Sequence, residues 1–181
     1  FLLASSIALS YLSQFSSLNT RCYASVLPSS LGQLWIRHNL QCIFQLQYHL
    51  DAACDLSLAL IDLPHSWQDA LQRYFAGEYA QLSQLPIMLD QGTPFQQQVW
   101  LALPTIPAGT TWSYLQLAQH IDRPKAVRAV GQALKRNPLA IILPCHRIIQ
   151  QSGNLGGYAG QTDIGTTRKQ FLLQHEGVIL N

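Results

Sequence analysis

A Gly-Thr-Pro turn signal at residues 92–94 divides the chain into two halves of opposite charge. Residues 1–91 carry three arginines against six acidic side chains, and residues 92–181 carry eight basic side chains against three acidic ones. The net charges are therefore −3 and +5. Because 48% of the 181 residues are hydrophobic, the chain has enough apolar material to bury a core. We expect a folded protein with two small domains that meet just before Gly92.

Residues 21–91 carry the signals of a small sheet followed by a helix. Residues 23–27 and 34–37 are predicted strands joined by a turn at 28–30, and 43–48 is a candidate third strand. Residues 66–75 place apolar side chains at helical spacing and end at Gly77, a helix stop signal. This half is therefore predicted to be a small mixed α/β domain.

Residues 1–20 begin with an apolar run at positions 1–9. No basic segment precedes this run, no clear signal-peptide cleavage site follows it, and it is too short to span a bilayer. We expect residues 1–20 to be an extension of unknown role.

The cysteines do not form a pattern that predicts disulfides or a metal. Cys22, Cys42, Cys54 and Cys145 lack the paired spacing of a disulfide framework, which favours a reducing, intracellular setting. The candidate ligands in the first half lack recognisable metal-binding spacing, so no metal is predicted; they are Cys22, His38, Cys42, His49 and Cys54.

Three helices are predicted early in the second half. The first begins near Pro94 and ends before the prolines at 104 and 107. The second covers about 115–121 and is broken at 122–124, and the third runs from Lys125 to about Arg136. Two short helices with a tight break form a candidate helix-turn-helix, although many such hairpins bind nothing.

The third helix combines basic and small side chains. Six positive residues and no acidic one lie between Arg123 and Arg147, a density that attracts phosphates or, equally, forms a solvated basic face. Small residues make this helix slim, suited either to close approach to DNA or to tight packing on the protein's own core; they are Ala126, Ala129, Gly131 and Ala133.

The apolar run 141–143 leads directly into Pro144-Cys145-His146-Arg147. A cysteine beside a titratable base is a candidate nucleophile, provided that its pKa is lowered toward the thiolate form. His146 and Arg147 are the nearest sources of positive charge. Neighbouring side chains in extended chain point apart, so Cys145 and His146 can meet only in a turn or through a water. A Cys-His dipeptide alone is more often structural than catalytic.

Asn137-Pro138 and a glycine-rich loop flank this cysteine. The Asn-Pro pair ends the basic helix only a few residues before the apolar run. The loop holds Gly153, Gly156, Gly157 and Gly160 around Tyr158, a composition suited to enclosing a planar ligand. The sequence thus places a candidate DNA-reading helix beside a candidate nucleophile.

In this combination the chain resembles the O6-alkylguanine-DNA alkyltransferase family, also called methylated-DNA–protein-cysteine methyltransferases. The resemblance covers nearly all of residues 92–181, whereas the first half matches loosely at 31–35 and 75–77. The motifs in the second half lie at 92–96, 99–100, 106–109, 113–114, 128–131, 137–138, 144–147, 157–160 and 175–177.

The resemblance implies an α+β fold, in which a ribonuclease-H-like domain over 21–91 precedes a mainly helical domain over 92–181 with a winged helix-turn-helix. It implies that an alkyl group moves irreversibly, once per molecule, from O6-alkylguanine in DNA to Cys145, with O4-alkylthymine as an additional candidate substrate. His146 would deprotonate Cys145 through a water, Glu176 would hold the imidazole, and Asn137 would brace the cysteine region.

The family also implies roles for the base-binding and DNA-binding residues. Tyr114 would bond the base and help protonate the departing guanine, while Arg128 would enter the duplex from the minor groove and replace the flipped base. The expected pocket residues are Tyr158, Ala159, Gly160 and Arg147. The other expected DNA contacts are Thr110, Lys125, Ala126, Ala129, Gly131, Lys135 and Arg136.

No cofactor is expected, and the expected partner is double-stranded DNA, bound by a monomer in the cytoplasm or nucleoid and without a membrane. One departure from the family spacing is a surplus of about four residues within 161–167, which puts the pocket wall in doubt. A lesion binder that lacks the acceptor cysteine is excluded by Cys145. A helix-turn-helix regulator and a cysteine hydrolase remain open as alternatives.

Overall fold

The first half of the chain forms a four-stranded sheet. The computed structural model describes residues 21–48, 55, 57–158 and 163–180; the expected extension at 1–20 lies outside them. The strands are β1 (Tyr23–Ser29), β2 (Gly32–His38), β3 (Ile43–Tyr48) and β4 (Ala59–Leu60). Their order is β3-β2-β1-β4, with β1 antiparallel to β2, β2 antiparallel to β3, and β4 parallel to β1. The three strands predicted from the sequence are confirmed.

One amphipathic helix, α1 (His65–Phe75), contacts this sheet. Its buried residues are Trp67, Ala70, Leu71 and Tyr74. These positions follow the i, i+3, i+4, i+7 spacing, which gives a helix one continuous apolar face. The predicted helix at 66–75 is therefore confirmed to within one residue.

The second half contains four helices among its described residues. They are α2 (Pro94–Ala102), α3 (Tyr114–His120), α4 (Val127–Lys135) and α5 (Asp163–His175). Two short strands, β5 (Trp112–Ser113) and β6 (Ile148–Ile149), pair in parallel. Short 3-10 turns occur at Ala80–Gln84, Leu103–Thr105 and Cys145–Arg147. The sequence predicted the first three helices but not α5 or the β5–β6 pair, and the α+β class is confirmed. No helix in the described part of the chain has the length and apolar character needed to cross a membrane.

Two capping boxes set the starts of α2 and α3. Thr93 accepts a bond from the backbone of Gln96, whose side chain accepts one from the backbone of Thr93. Ser113 and Gln116 repeat this exchange at α3. Each box satisfies two backbone N–H groups that a helix start otherwise leaves without partners. The Thr-Pro-Phe-Gln sequence therefore specifies where the second half begins its first helix.

Helix α4 presents small residues on two different faces. Val130 and Ala133 are buried, and the indole Nε1 of Trp100 donates to the carbonyl of Ala133 over 2.8 Å. Ala129 and Arg128 are exposed. Packing on the core therefore accounts for one face of the slim helix, while close approach of DNA to the exposed face stays a prediction. The helix begins at Val127, two residues later than predicted.

Strand β3 joins the two halves through its free edge. The backbone N–H of Leu46 donates to Pro138 over 2.9 Å, and that of Ala140 donates to Leu46 over 2.9 Å. Within the first half, near the other end of the strand, the backbone N–H of Ile43 donates to the carbonyl of Pro86 over 2.8 Å. One hydrophobic cluster contains buried residues from both halves. The segment that precedes Cys145 is therefore anchored on the first half of the chain.

Gly92 is expected to be intolerant of a side chain. Its φ is +89°, and a Cβ there would lie 2.5 Å from the Trp100 ring. Gly77 is a matched control, with φ +94° and open space around its Cβ position. We expect Gly77→Ala to lower the free energy of unfolding by about 1–2 kcal/mol, and Gly92→Ala to lose a further ~1–3 kcal/mol through the clash. Urea unfolding of both variants measures the difference; equal losses would show that Trp100 moves aside without cost.

Candidate active site

Cys145 lies at a cleft with a volume of about 310 Å³. The cleft lies between the start of α3, one face of α4, the 3-10 turn that carries Cys145 and the loop after β6. Its described lining residues are Tyr114, Gly131, Gln132, Leu134, Lys135, Cys145, Gln150, Gly156, Gly157 and Tyr158. The structure thus brings the candidate nucleophile, the basic helix and the glycine-rich loop to one place.

The side chain of Asn137 fixes the segment that delivers Cys145. Its Nδ2 donates to the carbonyl of Leu143 over 2.7 Å and to the sulfur of Cys145 over 3.1 Å. Its Oδ1 accepts from the backbone of Leu139 over 3.0 Å. One amide therefore ties the end of α4, the apolar run and the sulfur together. This is the position that the sequence assigned to Asn137.

His146 is held by a buried carboxylate. The side chains of His146 and Glu176 are fully buried, and Nε2 of His146 lies 2.9 Å from Oε1 of Glu176. Hydrogen bonds from His146 and Arg147 lower the pKa of Glu176 to about 2, so the carboxyl group is ionised. An ionised carboxylate only accepts, so His146 carries its proton on Nε2. Burial lowers the pKa of His146, which keeps the ring neutral with a basic Nδ1.

Nδ1 of His146 is buried and has no hydrogen-bond partner among the described residues. The residues Cys145–Arg147 form a 3-10 turn. A turn and a bridging water are the two arrangements that were expected to let Cys145 and His146 interact. No direct bond between the sulfur and the imidazole is present in the described structure. His146 therefore offers a buried nitrogen without a partner, in the residue that follows Cys145 in the chain, and this nitrogen is not bonded to the thiol.

Arg147 occupies a different place from the one expected. It is buried, and its Nε and Nη2 donate to the two oxygens of Glu176 over 2.8 Å each, while Nη1 donates to the carbonyl of Ile106. It is not among the described residues that line the cleft. A guanidinium engaged in this way neutralises Glu176 and does not supply charge to Cys145. The expectation that Arg147 forms part of the pocket is therefore corrected.

The sulfur of Cys145 has a raised pKa, contrary to the expected lowering. Loss of solvent raises it, and the Asn137 hydrogen bond and the charge of Lys169 oppose the rise. Lys169 is fully buried on α5, and its Nζ donates to the carbonyl of Ile148. Lys169 was not predicted as a site residue, although a lysine within the apolar face of a helix is a signal, because buried lysines are rare. The resting group is a thiol, which must lose its proton before it can attack.

Two tyrosines shape the cleft. Tyr114 begins α3, and a Cβ on Gly156, whose φ is +68°, would lie 2.9 Å from the Tyr114 hydroxyl. Glycine is therefore needed where the loop passes this hydroxyl. Tyr158 is buried, and its hydroxyl lies 2.9 Å from that of Tyr48 on β3. The remaining expected pocket residues, Ala159 and Gly160, lie outside the described residues.

The segment 161–167, within which about four surplus residues are expected, belongs mostly to α5. Residues 163–167 form the first part of this helix, and 161 and 162 lie outside the described residues. Thr167 donates to the carbonyl of Asp163 over 2.9 Å, a bond that is local to the helix. The described part of this segment therefore belongs to the helix that also carries Lys169.

The basic surface surrounds α4. Five of the six positive residues expected there are exposed, with no ion pair to a described carboxylate. They are Arg123, Lys125, Arg128, Lys135 and Arg136. Thr110 is exposed in the loop before β5, and Ala126 is partly buried just before α4. The sixth cation, Arg147, is bound to Glu176. This surface borders the cleft, because Lys135 belongs to both.

Comparisons with known proteins match both halves of the chain. The family model described as 6-O-methylguanine DNA methyltransferase, DNA binding domain, matches residues 94–178. A methylated-DNA–protein-cysteine methyltransferase of Shigella flexneri is 47% identical over 117 residues, which are 65% of this chain and 66% of that protein. The matched part therefore spans just under two thirds of this relative.

Solved structures match a larger part of the chain. The crystal structure of Mycobacterium tuberculosis O6-methylguanine methyltransferase is 38% identical with a TM-score of 0.73, over 86% of this chain and 92% of that one. A crystal structure of Mycobacterium tuberculosis OGT in complex with DNA is 38% identical with a TM-score of 0.74, over 85% of this chain and 92% of that one.

Lys169→Met is expected to make Cys145 less reactive. Burial lowers the pKa of Lys169 to about 8, so its positive charge favours the thiolate below that pH and is lost above it. We expect iodoacetamide to modify Cys145 about tenfold more slowly in the variant at neutral pH, with a smaller difference above pH 8. Peptide mass mapping isolates this thiol from the others. Lys135→Met, at the exposed side of the cleft, should change the rate by less than about twofold. If Lys169→Met and Lys135→Met slowed the modification equally, Lys169 would have no specific influence on Cys145.

Proposed function

The chain belongs to the family of methylated-DNA–protein-cysteine methyltransferases, and we propose that it repairs DNA by moving an alkyl group from the O6 atom of guanine to the sulfur of Cys145. One observation carries this proposal: a thiol held by Asn137 lies at a cleft that borders the exposed basic helix α4. A DNA-binding surface and a nucleophile within one cleft are what direct reversal of base damage requires.

The reaction is a displacement at a saturated carbon. Cys145 loses its proton to Nδ1 of His146 through a water, and the thiolate attacks the alkyl carbon. The S–C bond forms as the C–O6 bond breaks, and the electron pair stays on guanine. Guanine takes up one proton with the help of the Tyr114 hydroxyl, which balances the proton given up by Cys145. No cofactor takes part in this step.

The base is needed because the resting sulfur is a thiol. Burial raises the pKa of Cys145, so few molecules hold a thiolate at neutral pH. The neutral His146 has its proton on Nε2 and a free electron pair on Nδ1, which suits it as a general base. Asn137 and Lys169 then stabilise the negative sulfur that results.

The duplex binds to the α4 surface through its minor groove. Exposed cations on and beside this helix neutralise phosphates, and the small exposed Ala129 allows close approach. Arg128 enters the duplex in place of the flipped nucleotide, whose base then occupies the cleft beside Cys145. The Mycobacterium tuberculosis structure in complex with DNA supports DNA as the partner.

The protein acts as a monomer and only once. Attack by sulfur produces a thioether, which is not readily hydrolysed, so the alkylated protein is the final product. O4-alkylthymine presents a comparable alkyl ether and is a second candidate substrate. The protein acts in the compartment that holds the DNA, which in a bacterial cell is the cytoplasm at the nucleoid.

Cys145→Ala is expected to abolish transfer but retain DNA binding. After exposure to a duplex that contains O6-methylguanine, the native protein and the control Cys22→Ala should each gain the mass of one methyl group, located on Cys145. Cys145→Ala should gain none, while its affinity for the duplex stays the same within about twofold, since a partly buried thiol within the cleft is not a phosphate contact. Methylation of Cys145→Ala would refute the proposal. Release of more than one product per protein would favour the hydrolase alternative.

Arg128→Ala is expected to impair repair of duplex DNA selectively. Its exposed side chain would hold the duplex open, so the maximal rate on saturating methylated duplex should fall by at least about tenfold. Reaction with free O6-benzylguanine should not change. The control Arg136→Ala removes a second exposed arginine of the same surface and should weaken only affinity, with salt-dependent loss that excess duplex restores. Equal losses for Arg128→Ala on duplex and free base would contradict this role.

A further inference from the structure

Tyr74 is a residue of the first half that contacts the buried pair at the active site. It lies on α1, has no exposed surface, and its hydroxyl donates to Oε1 of Glu176 over 2.8 Å. Glu176 lies just beyond the end of α5, 102 positions away in the chain. Glu176 therefore contacts Tyr74 in addition to His146 and Arg147. Its role in holding His146 does not account for the contact with Tyr74.

Oε1 of Glu176 has three donors at similar distances. The Tyr74 hydroxyl lies at 2.8 Å, Nη2 of Arg147 at 2.8 Å and Nε2 of His146 at 2.9 Å. Oε2 accepts from Nε of Arg147 alone among the described residues. Donors that share one oxygen also share its negative charge, so the Tyr74 bond limits how strongly Glu176 attracts the proton of His146.

The ring of Tyr74 is held in a cluster of aromatic side chains. Its centroid lies 5.3 Å from that of Phe75, 5.6 Å from that of Tyr79 and 5.4 Å from that of His175. The backbone is fixed as well, because Nε2 of His175 donates to the carbonyl of Tyr74 over 2.7 Å. A donor fixed in this way loses little freedom when it binds Glu176 and keeps the carboxylate in one orientation.

We propose that Tyr74 is a positioning residue for alkyl transfer: its hydroxyl orients Glu176 and moderates the hold of that carboxylate on His146. The inference rests on the proposed function, because it assigns Tyr74 to the proton transfer from Cys145. It also gives the first half of the chain a part in the reaction. Tyr74 touches neither the sulfur nor the cleft, so it acts through Glu176 alone.

The direction of the effect follows from the charges around His146. The groups that face the imidazole are Glu176, Arg147, Lys169 and the ring of Tyr158, and all remain when the Tyr74 hydroxyl is removed. Oε1 then has two donors instead of three, so more negative charge faces Nε2 and the imidazolium form is favoured. The pKa of His146 should rise, which leaves less of the neutral base at a given pH.

Tyr74→Phe removes the hydroxyl and keeps the ring. Tyr79→Phe is the matched control, because its hydroxyl also crosses between the halves, to the carbonyl of His175 over 2.5 Å, but does not touch Glu176. Single-turnover transfer from methylated duplex is measured from about pH 5 to about pH 9. We expect Tyr74→Phe to move the acid limb upward by about half a pH unit, which slows transfer by up to about threefold on that limb and changes the rate little at neutral pH. Tyr79→Phe should retain the native profile.

A second variant tests whether a stronger hydrogen bond from residue 74 to Glu176 lowers the pKa of His146. Burial and Glu176 hold the pKa of Tyr74 far above its usual value, so a monofluorinated tyrosine at this position stays protonated and donates more strongly. The acid limb should then move to lower pH. This change adds almost no volume, so it remains a test even where Tyr74→Phe unfolds.

NMR titration of the His146 ring separates the inference from the proposed function. A pKa of His146 that rises in Tyr74→Phe supports the inference, and an unchanged value overturns it, whether or not the native protein accepts a methyl group. Failure of the native protein to accept one would refute the proposed function alone. Equal slowing by Tyr74→Phe and Tyr79→Phe, with unshifted limbs, would reduce Tyr74 to a structural link between the halves.

Discussion

The carboxylate of Glu176 is the interaction on which the rest of the site depends. It is a buried charge, which is costly unless it is compensated, and it accepts bonds from Tyr74, His146 and Arg147. These donors come from α1 and from the turn that carries Cys145, so one charge fixes three parts of the chain. Loss of one partner of a buried pair costs about 3–5 kcal/mol. Because the pKa of Glu176 is lowered to about 2, its stabilisation is complete above the ordinary carboxyl pKa and is lost as the pH falls toward 2.

The same charge decides the chemistry available at the cleft. An ionised Glu176 requires the proton of His146 to be on Nε2, and Nδ1 is then the basic atom of the residue that follows Cys145, whose thiol has a pKa raised by burial. The resting sulfur is therefore mostly a thiol, which reacts slowly until its proton leaves. Lys169 and Asn137 favour the thiolate locally, while Arg147 is engaged by Glu176. The site therefore contains groups that stabilise the negative sulfur and groups that keep His146 neutral.

Features that depend on neighbouring residues could be predicted from the sequence, and features that depend on distant contacts could not. The start of α2 at Pro94 and the apolar face of α1 are local patterns, and each appears where it was expected. The β5–β6 pair joins strands of two residues each, too short to give a periodic signal. The place of Arg147 was misjudged because its partner lies 29 positions away, and Lys169 was missed because only the tertiary fold brings its charge near Cys145. The domain boundary near Gly92 and the winged helix-turn-helix stay predictions.

The protonation of His146 in the resting protein is the measurement that tests this account most directly. Nitrogen NMR of the native protein, labelled in its histidine rings, distinguishes a protonated ring nitrogen from a bare one. The account predicts that at neutral pH the ring of His146 is neutral, because burial disfavours the imidazolium, and that its proton is on Nε2 with a bare Nδ1, because Nε2 is bonded to an ionised Glu176. A proton on Nδ1, or an imidazolium at neutral pH, would contradict the account, since neither form could take a proton from Cys145 through Nδ1.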